Sequence, residues 1–518
     1  MLKPSNHPAV NREDRASLEW ALIAGLIVVA AALRFWRIGV ESLWLDEAAS
    51  WSFARLPVAE LLTRNADPGN PPLYYLALGQ WLALFGDSEI ALRSFSAVAG
   101  VLSVPVIYLL GRELFGRRAG ALAALLLAFS PIHLFYSQEA RQYTPAMFLG
   151  LVSAWLFMRA VKTDRWAHWL GAAFFAALAF YIHYSAMLIP AFQGAYALVA
   201  ARRWRAVGAA ALFGLLCLPG VVLYLAPTFL LRDGYQFWQG HVTPGALARM
   251  GNKLFGKPTS ASDPPEIQAA CALLLGIAAV YPLWLAGRSA KREDTDGGRP
   301  LLFSLLYLLV PMVLFIGLAL MKPVWQERYL LVALPGYLLV LAWVLTHQQG
   351  ARRVLLATIL VLLHAGGMKA ATREWQKEEW REAVRMMQTA ARSARNPDTE
   401  VFLTMPFLHL PFDYYSRGNP PRTGYPRGRA PLTPADTAEL DALARRAAQR
   451  GTIFVIHGVA GDGDPDLLLV RRLAAIKGTG TFRRFVGMRV FAFGEGAPAL
   501  GGIPVTPSSL AAGDDRYR

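Results

Sequence analysis

Long apolar runs recur between residues 18 and 370, separated by short polar loops, and then stop. They lie near residues 18–35, 91–110, 119–135, 145–161, 166–182, 185–200, 206–226, 267–286, 301–321, 329–345 and 354–369. A helix needs about 20 apolar residues to cross a bilayer, so the pattern predicts about eleven transmembrane helices. The first run could be read as a cleaved signal peptide, but a polar acidic loop and many further spans follow it, which favours an uncleaved signal anchor. Beyond residue 370 the pattern becomes that of a small α/β domain. It predicts a helix over 374–393, a strand over 401–405, a helix over 434–449, a strand over 452–457, a helix over 466–476 and a hairpin over 482–493. The Gly/Pro/Ser-rich end after Gly494 reads as disordered. The organisation expected is therefore a transmembrane domain over 1–370, an α/β domain over 371–495 and a flexible tail over 496–518.

One segment decides which loops share a face. Residues 71–85 are apolar and aromatic but short for a span, and Asn70-Pro71-Pro72 forces an extended entry before any helix. If this segment crossed, the basic loops holding Arg112/Arg117/Arg118, Lys162/Arg165, Arg202/Arg203/Arg205, Arg288/Lys291/Arg292 and Arg352/Arg353 would share a face with Asp46. If it lies flat, as an interfacial helix within a 37–90 loop, they all fall opposite Asp46, and the positive-inside rule makes them cytoplasmic. The second arrangement places Asp46 and the C-terminal domain outside. It also leaves Arg34, Arg37, Arg55, Arg64, Arg93, Arg141, Lys322 and Arg328 on the outer side, where lipid headgroups or a bound phosphate would answer their charge.

Composition agrees with a membrane protein. Of 518 residues 55% are hydrophobic and only 17% charged, against about 25% charged in typical soluble chains. Mean hydropathy is +0.33. A net charge of +16 would suggest nucleic acid in a soluble protein; here topology accounts for the basic loops, and no nucleic-acid partner is expected. Cys217 and Cys271 both fall in apolar runs, which argues against a disulfide framework.

The candidate chemistry sits in the outer loops. Glu41-Ser-Leu-Trp44-Leu-Asp46-Glu47-Ala-Ala-Ser-Trp51 sets two adjacent carboxylates between tryptophans. Neighbouring side chains on a helix or strand point in different directions, so Asp46 and Glu47 do different jobs; alternatively they are an interfacial pair bridged to Arg37 or Arg55. Tyr136-Ser-Gln-Glu139-Ala-Arg141-Gln-Tyr143 and Lys322-Pro-Val-Trp325-Gln-Glu327-Arg328-Tyr329 combine acids, arginines and phenols in short loops, a composition suited to binding and also to a salt-bridged connector. Arg93 stands at the end of a span with no adjacent acid, as a phosphate ligand or a snorkelling side chain. His183 reads as structural. Residues 251–258 imitate a phosphate-binding loop, but Pro258 occupies the place of the magnesium-holding hydroxyl. Asp462, Asp464 and Asp466 alternate as in a calcium loop without its Gly and Glu, and read as a turn that caps a helix.

Taken together, Trp44-Leu-Asp46-Glu47, Pro71-Pro-Leu-Tyr74-Tyr75, Arg93, Ser137-Gln-Glu139-Ala-Arg141 and Arg328-Tyr329 resemble the GT-C membrane glycosyltransferases. The resemblance lies with the bacterial branch that includes protein O-mannosyltransferases and the aminoarabinose transferase acting on lipid A, and covers roughly residues 18–385. Relatives often carry His or Lys where this chain has Asn70. The resemblance implies an α-helical polytopic membrane protein of the GT-C fold with juxtamembrane helices, in a bacterial cytoplasmic membrane. It further implies a polyprenyl-phosphate sugar donor, inverting transfer on the extracytoplasmic face, and Asp46 as the catalytic acid-base residue. In that scheme Glu47 orients the acceptor or holds a cation, and Arg93, Arg141 and Arg328 bind the donor phosphate. Trp44, Tyr74, Tyr75, Glu139 and Tyr143 contact substrate. The acceptor could be a lipid, a glycan or a protein. The residues establish no cofactor; a divalent metal is compatible with them, because two adjacent acids can hold one or work without one. A transporter or flippase of polyprenyl-linked lipids would instead call for acids or broken helices near mid-membrane. A scaffold acting through residues 371–518 is a third reading.

Overall fold

A computed structural model describes residues 12–63, 69–201, 203–229, 242–243, 265–290, 299–373, 377–394, 398–425, 437–458, 464 and 466–511. Arg64, Arg202, Lys291, Arg292, residues 251–258, Asp462 and most of the 227–266 loop lie outside them. The chain forms two compact units, Met1–Ile38 with Leu56–Trp375, and Gly39–Arg55 with Gln376–Arg518. The acidic loop therefore belongs with the C-terminal domain rather than with the helices that flank it in sequence.

The first unit is helical, and the chain is a multi-pass membrane protein. All eleven predicted positions are helical. Among the described residues seven helices are long and apolar enough to cross a membrane: Ser17–Phe35, Glu89–Phe115, Tyr143–Thr163, Trp204–Leu225, Pro300–Met321, Glu327–His347 and Gly350–Lys369. The pair Arg117–Ala128 and Pro131–Ser137 makes an eighth, bent by 58°. Trp166–Ile182, Tyr184–Ala200 and Gly276–Leu285 are shorter apolar helices at the three remaining positions.

The bend has a local cause. Pro131 has no N–H to give and forces Ser130 into an extended conformation (φ −67°, ψ 115°), so the carbonyls ending the preceding helix lose their usual donors. Arg34, fully buried, supplies replacements: its guanidinium donates to Leu127 O and Ala128 O at 3.2 Å and to Ala30 O at 3.1 Å, and lies 2.7 Å from His133 Nδ1. The expectation that this cation would face an anionic group is thus corrected. Its partners are backbone carbonyls and an imidazole.

Ion pairs align the helix ends. Glu19 in the first helix meets Arg117 at 2.9 Å and Arg112 at 3.4 Å, Lys162 meets Glu113 at 3.5 Å, and Arg205 meets Asp164 at 2.8 Å. These basic loops gather at one end of the unit. At the other end Arg93 Nη1 donates to Ile38 O at 2.8 Å, so the first span finishes beside the start of the Glu89–Phe115 helix. The Leu73–Phe85 helix is 13 residues long; Trp81 ties it to Ala91 O (3.1 Å) and Ser94 Oγ (2.9 Å), and Gly86, at φ +80°, ends it.

Among the described residues the second unit holds one mixed sheet of six strands: β1 (Thr399–Leu403), β2 (Arg422–Gly424), β3 (Thr452–Gly458), β4 (Gly480–Phe485), β5 (Met488–Gly494) and β6 (Ile503–Val505). Their order is β2-β1-β3-β5-β4-β6, with β2, β1 and β3 parallel and the rest antiparallel. The period-2 alternation is visible in the core. Phe402, Ile453 and Val455 pack with the Thr437–Ala447 and Leu468–Lys477 helices, while Val401, Leu403, Phe454 and Ile456 pack with Trp380–Ser393 and Phe412 of His409–Ser416. Asp464 caps as expected, accepting from Leu468 N (2.6 Å) and Leu469 N (2.9 Å). The stretch after Gly494, expected to be disordered, instead supplies β6, which pairs with the β4 edge, and the Pro507–Ala511 helix. Pairing with a free edge outweighs its Gly/Pro composition.

Candidate active site

In the second unit, Trp44 is extended and the Leu45–Ala54 helix starts after it, setting Asp46 and Glu47 in its first turn, where the helix dipole favours carboxylates. Their surroundings differ. Asp46 is partly exposed, whereas Glu47 is fully buried with Oε1 3.1 Å from Lys377 Nζ. Glu47 was expected to orient the acceptor or hold a cation, or to bridge Arg37 or Arg55; Lys377, a lysine of the C-terminal domain, lies against it. Glu378 follows directly. Burial raises its carboxyl above the ordinary range and the nearby Asp46 charge adds to this, while hydrogen bonds from the Trp380 indole (2.6 Å) and the Leu45 backbone oppose it.

The loop before the helix is held just as closely. Arg381 donates to the carbonyls of Val40 (3.0 Å), Gly39 (3.2 Å) and Glu41 (3.3 Å), Ser42 Oγ donates to Glu382 (3.0 Å), and Leu43 N donates to Tyr415 OH (2.6 Å). Trp51 meets Tyr414 edge-on at 5.1 Å, with the guanidiniums of Arg55 and Arg417 over its ring.

In the helical unit the structure brings together Arg141, Tyr143 and Arg328, which sequence singled out on separate loops. Both guanidiniums lie over the Tyr143 ring, 5.7 Å from its centre for Arg141 and 5.3 Å for Arg328. Tyr143 opens the Tyr143–Thr163 helix, so the positive end of that helix adds to the two cations. His183, read from sequence as structural, packs here as well, 4.9 Å from Tyr329 and 5.2 Å from Tyr143 by ring centres. Burial first, then Arg141 and Arg328, push its pKa down to about 3, so it stays a neutral imidazole. Glu139, also buried, lies on the same loop.

Other expected contacts fall differently. Tyr74 and Tyr75 are buried and pack against each other (5.3 Å), with Tyr74 also on Phe95 (5.9 Å); this is core packing rather than an open sugar platform. Arg93 is buried rather than snorkelling to lipid. Sequence reasoning missed Gln142, a fully buried amide whose Nε2 donates to Asn70 Oδ1 at 2.5 Å, while its Oε1 has no hydrogen-bond partner among the described residues. Its flanking position between Arg141 and Tyr143 was the available signal. Among the described residues no three His, Cys, Asp or Glu side chains are placed to hold a metal ion.

The helical architecture is the GT-C fold of membrane glycosyltransferases. ArnT from Cupriavidus metallidurans superposes over 94% of this chain and all of its own, with a TM-score of 0.61 at 15% identity; its complex with undecaprenyl phosphate gives 0.58. The oligosaccharyltransferase AglB from Archaeoglobus fulgidus, solved with an inhibitory peptide and a dolichol-phosphate, superposes at 0.54 over 90% of this chain and 73% of its own, at 14% identity. Within that fold, residues 69–225 match the family described as dolichyl-phosphate-mannose-protein mannosyltransferase. In the Bacillus subtilis (strain 168) protein YkcB, provisionally designated a mannosyltransferase, 178 residues are 29% identical, 31% of this chain and 24% of that one. The matched region thus spans about a quarter of that relative's length.

Proposed function

We propose that this chain is an inverting glycosyltransferase that moves a monosaccharide from a polyprenyl-phosphate donor to an acceptor hydroxyl or phosphate, on the extracytoplasmic face of a bacterial cytoplasmic membrane. The observation that carries the reading is the convergence of Arg141 and Arg328 on Tyr143 at a helix N-terminus, within a fold whose solved examples bind undecaprenyl phosphate and dolichol-phosphate. Two guanidiniums and a helix dipole suit a phosphate, and the neutral His183 beside them leaves room for a sugar hydroxyl.

The two carboxylates divide their roles by exposure. The partly exposed Asp46 accepts the proton of the acceptor hydroxyl as that oxygen attacks the anomeric carbon from the side opposite the lipid phosphate. Base catalysis of this kind contributes typically 10²- to 10⁴-fold. The bond between the anomeric carbon and the phosphate oxygen breaks with its electron pair passing to the phosphate, and Arg141 and Arg328 stabilise that charge. Arg93 is a third cation on the same face. The buried Glu47 acts through its neighbours, and Trp44 beside it completes the acceptor side.

The flippase reading gains one observation, the bent helix pair with Arg34 and His133 in its break. Arg34 is, however, the penultimate residue of its helix, so the break lies at a helix end rather than at mid-membrane, where a transporter would need it. The test is incubation of the purified full-length protein with polyprenyl-phosphate mannose, glucose, galactose and arabinose, following release of polyprenyl phosphate by mass spectrometry. Consumption of one donor, with an acceptor extract present, is the expected result. Transbilayer movement of the intact lipids with no sugar released would replace this reading by the flippase.

A further inference from the structure

Six consecutive residues, 377–382, lie between the acidic loop and the sheet of the second unit, and their contacts divide by direction. Toward the loop, Lys377 meets Glu47, Glu378 accepts from the Leu45 backbone, Arg381 binds the carbonyls of residues 39–41, and Glu382 accepts from Ser42. Toward the sheet, Glu379 N donates to Val486 O (3.0 Å), Val486 N donates to the Glu379 carboxylate (2.8 Å), and Trp380 is buried in the core. Val486 and Gly487 form the two-residue turn between β4 and β5. Gly487 sits at φ +78°, and a Cβ there would come within 2.5 Å of Glu378 Cγ, so the turn bears directly on the segment that bears on the loop. The chain thus runs without a gap from hairpin turn, through this segment, to the acids.

We propose that residues 377–382 make the C-terminal domain a positioning device for Asp46. Lys377 takes up the charge of Glu47, Arg381 fixes the approach to the helix, and Asp46, the more exposed of the two acids, is set in place for the reaction. The inference rests on Asp46 being the base. Two adjacent carboxylates in a helix's first turn repel one another, and each disfavours ionisation of the other; an ammonium against the buried member relieves this. Lys377 and Arg381 are positioning residues in this scheme. Among the described residues Lys377 lies against Glu47 and Glu378 lies near Asp46; the clamping segment also carries Glu379, Arg381 and Glu382, the acidic loop carries Glu41, and Arg55 and Arg417 lie over Trp51.

The test is steady-state kinetics of the full chain over a pH series, with whichever polyprenyl-phosphate sugar the wild type consumes fastest. Lys377→Met should lower kcat about 10- to 100-fold with donor KM within about twofold, and should move the acid limb of the kcat profile to higher pH, because Glu47 then opposes ionisation of its neighbour. Lys377→Arg should restore both. The double variant Lys377→Met/Glu47→Gln, which removes both members of the pair, should return the acid limb to its original place and recover most of kcat. A Lys377→Met enzyme with unaltered kcat and pH profile overturns the inference, as does loss of folded protein with no shift of the limb in what remains. Should Lys377→Met fail to accumulate, Gly487→Ala carries the test: kcat should fall severalfold, and an unchanged kcat counts against the clamp. Asp46→Asn separates this inference from the functional reading. If Asp46→Asn is fully active the base assignment falls and the clamp with it; if it is inactive while Lys377→Met behaves as wild type, only the clamp falls.

Discussion

A buried glutamate of the sheet unit and a buried arginine of the helical unit are held by different kinds of partner. In the sheet unit a buried acid is answered by an opposite charge: Glu47 by Lys377 at 3.1 Å, Glu400 by Arg450 at 3.1 Å. In the helical unit the buried Arg34 is held, among the described residues, by backbone carbonyls and an imidazole, and Arg141 and the part-buried Arg328 lie over the Tyr143 ring. Dehydrating a second ion costs several kcal/mol, which membrane helices avoid when a helix break already offers carbonyls. Cations bound to backbone serve the fold. The cations gathered on Tyr143 lie at a helix N-terminus, where the proposed donor phosphate would meet them.

The comparison can be broken at each point. Its largest expected effect is at the Tyr143 cluster: Arg141→Ala or Arg328→Ala should each lower sugar transfer about 10²- to 10³-fold, measured as donor consumption, with little change in thermal unfolding. Transfer at the wild-type rate in both would remove the cluster from the chemistry. Arg34→Met should do the reverse. Stranding the Ala128 carbonyl and the His133 imidazole, and leaving Leu127 O only its bond from Ser130 N, should cost about 3 kcal/mol of stability, seen as a lowered midpoint in detergent, while the donor KM of the folded fraction stays put. A normal midpoint would show that the break holds without its cation.

The smallest effect tests the sheet unit. Glu378 is held above its ordinary value of 4.5, so the proton it keeps in the folded state favours folding at low pH, and that contribution is lost as pH rises through the folded value. Glu378→Gln carries no charge at any pH. It should therefore raise the unfolding midpoint by roughly 1–2 °C near pH 7 and leave it unchanged near pH 4. An equal shift at both would point to packing instead of charge.

The membrane fold was legible because one-dimensional signals govern it: apolar runs of bilayer length, and arginines that mark one end of each helix. Its length and the flanking loop charges assign the short Pro71-Pro72 segment to one face, and the Arg93 to Ile38 bond sets the two flanking helix ends side by side. The Arg141 and Arg328 loops were legible as composition, and their meeting on Tyr143 was not. A lone His183 reads as structural because nothing adjacent in sequence marks its neighbours. The clamp on the acidic loop was illegible for a stronger reason: Ser42 and Glu382 are 340 positions apart, and no local periodicity encodes such a contact. Composition misled at the C-terminal end, where a Gly/Pro-rich stretch completes a sheet edge, and at Tyr74 and Tyr75, where interface-loving phenols are used as core.

The account depends most on Asp46. Purified Asp46→Asn, incubated with the polyprenyl-phosphate sugar that the wild type discharges, should release polyprenyl phosphate at least about 10²-fold more slowly while still binding undecaprenyl phosphate with wild-type affinity. Release at the wild-type rate by that variant would contradict it.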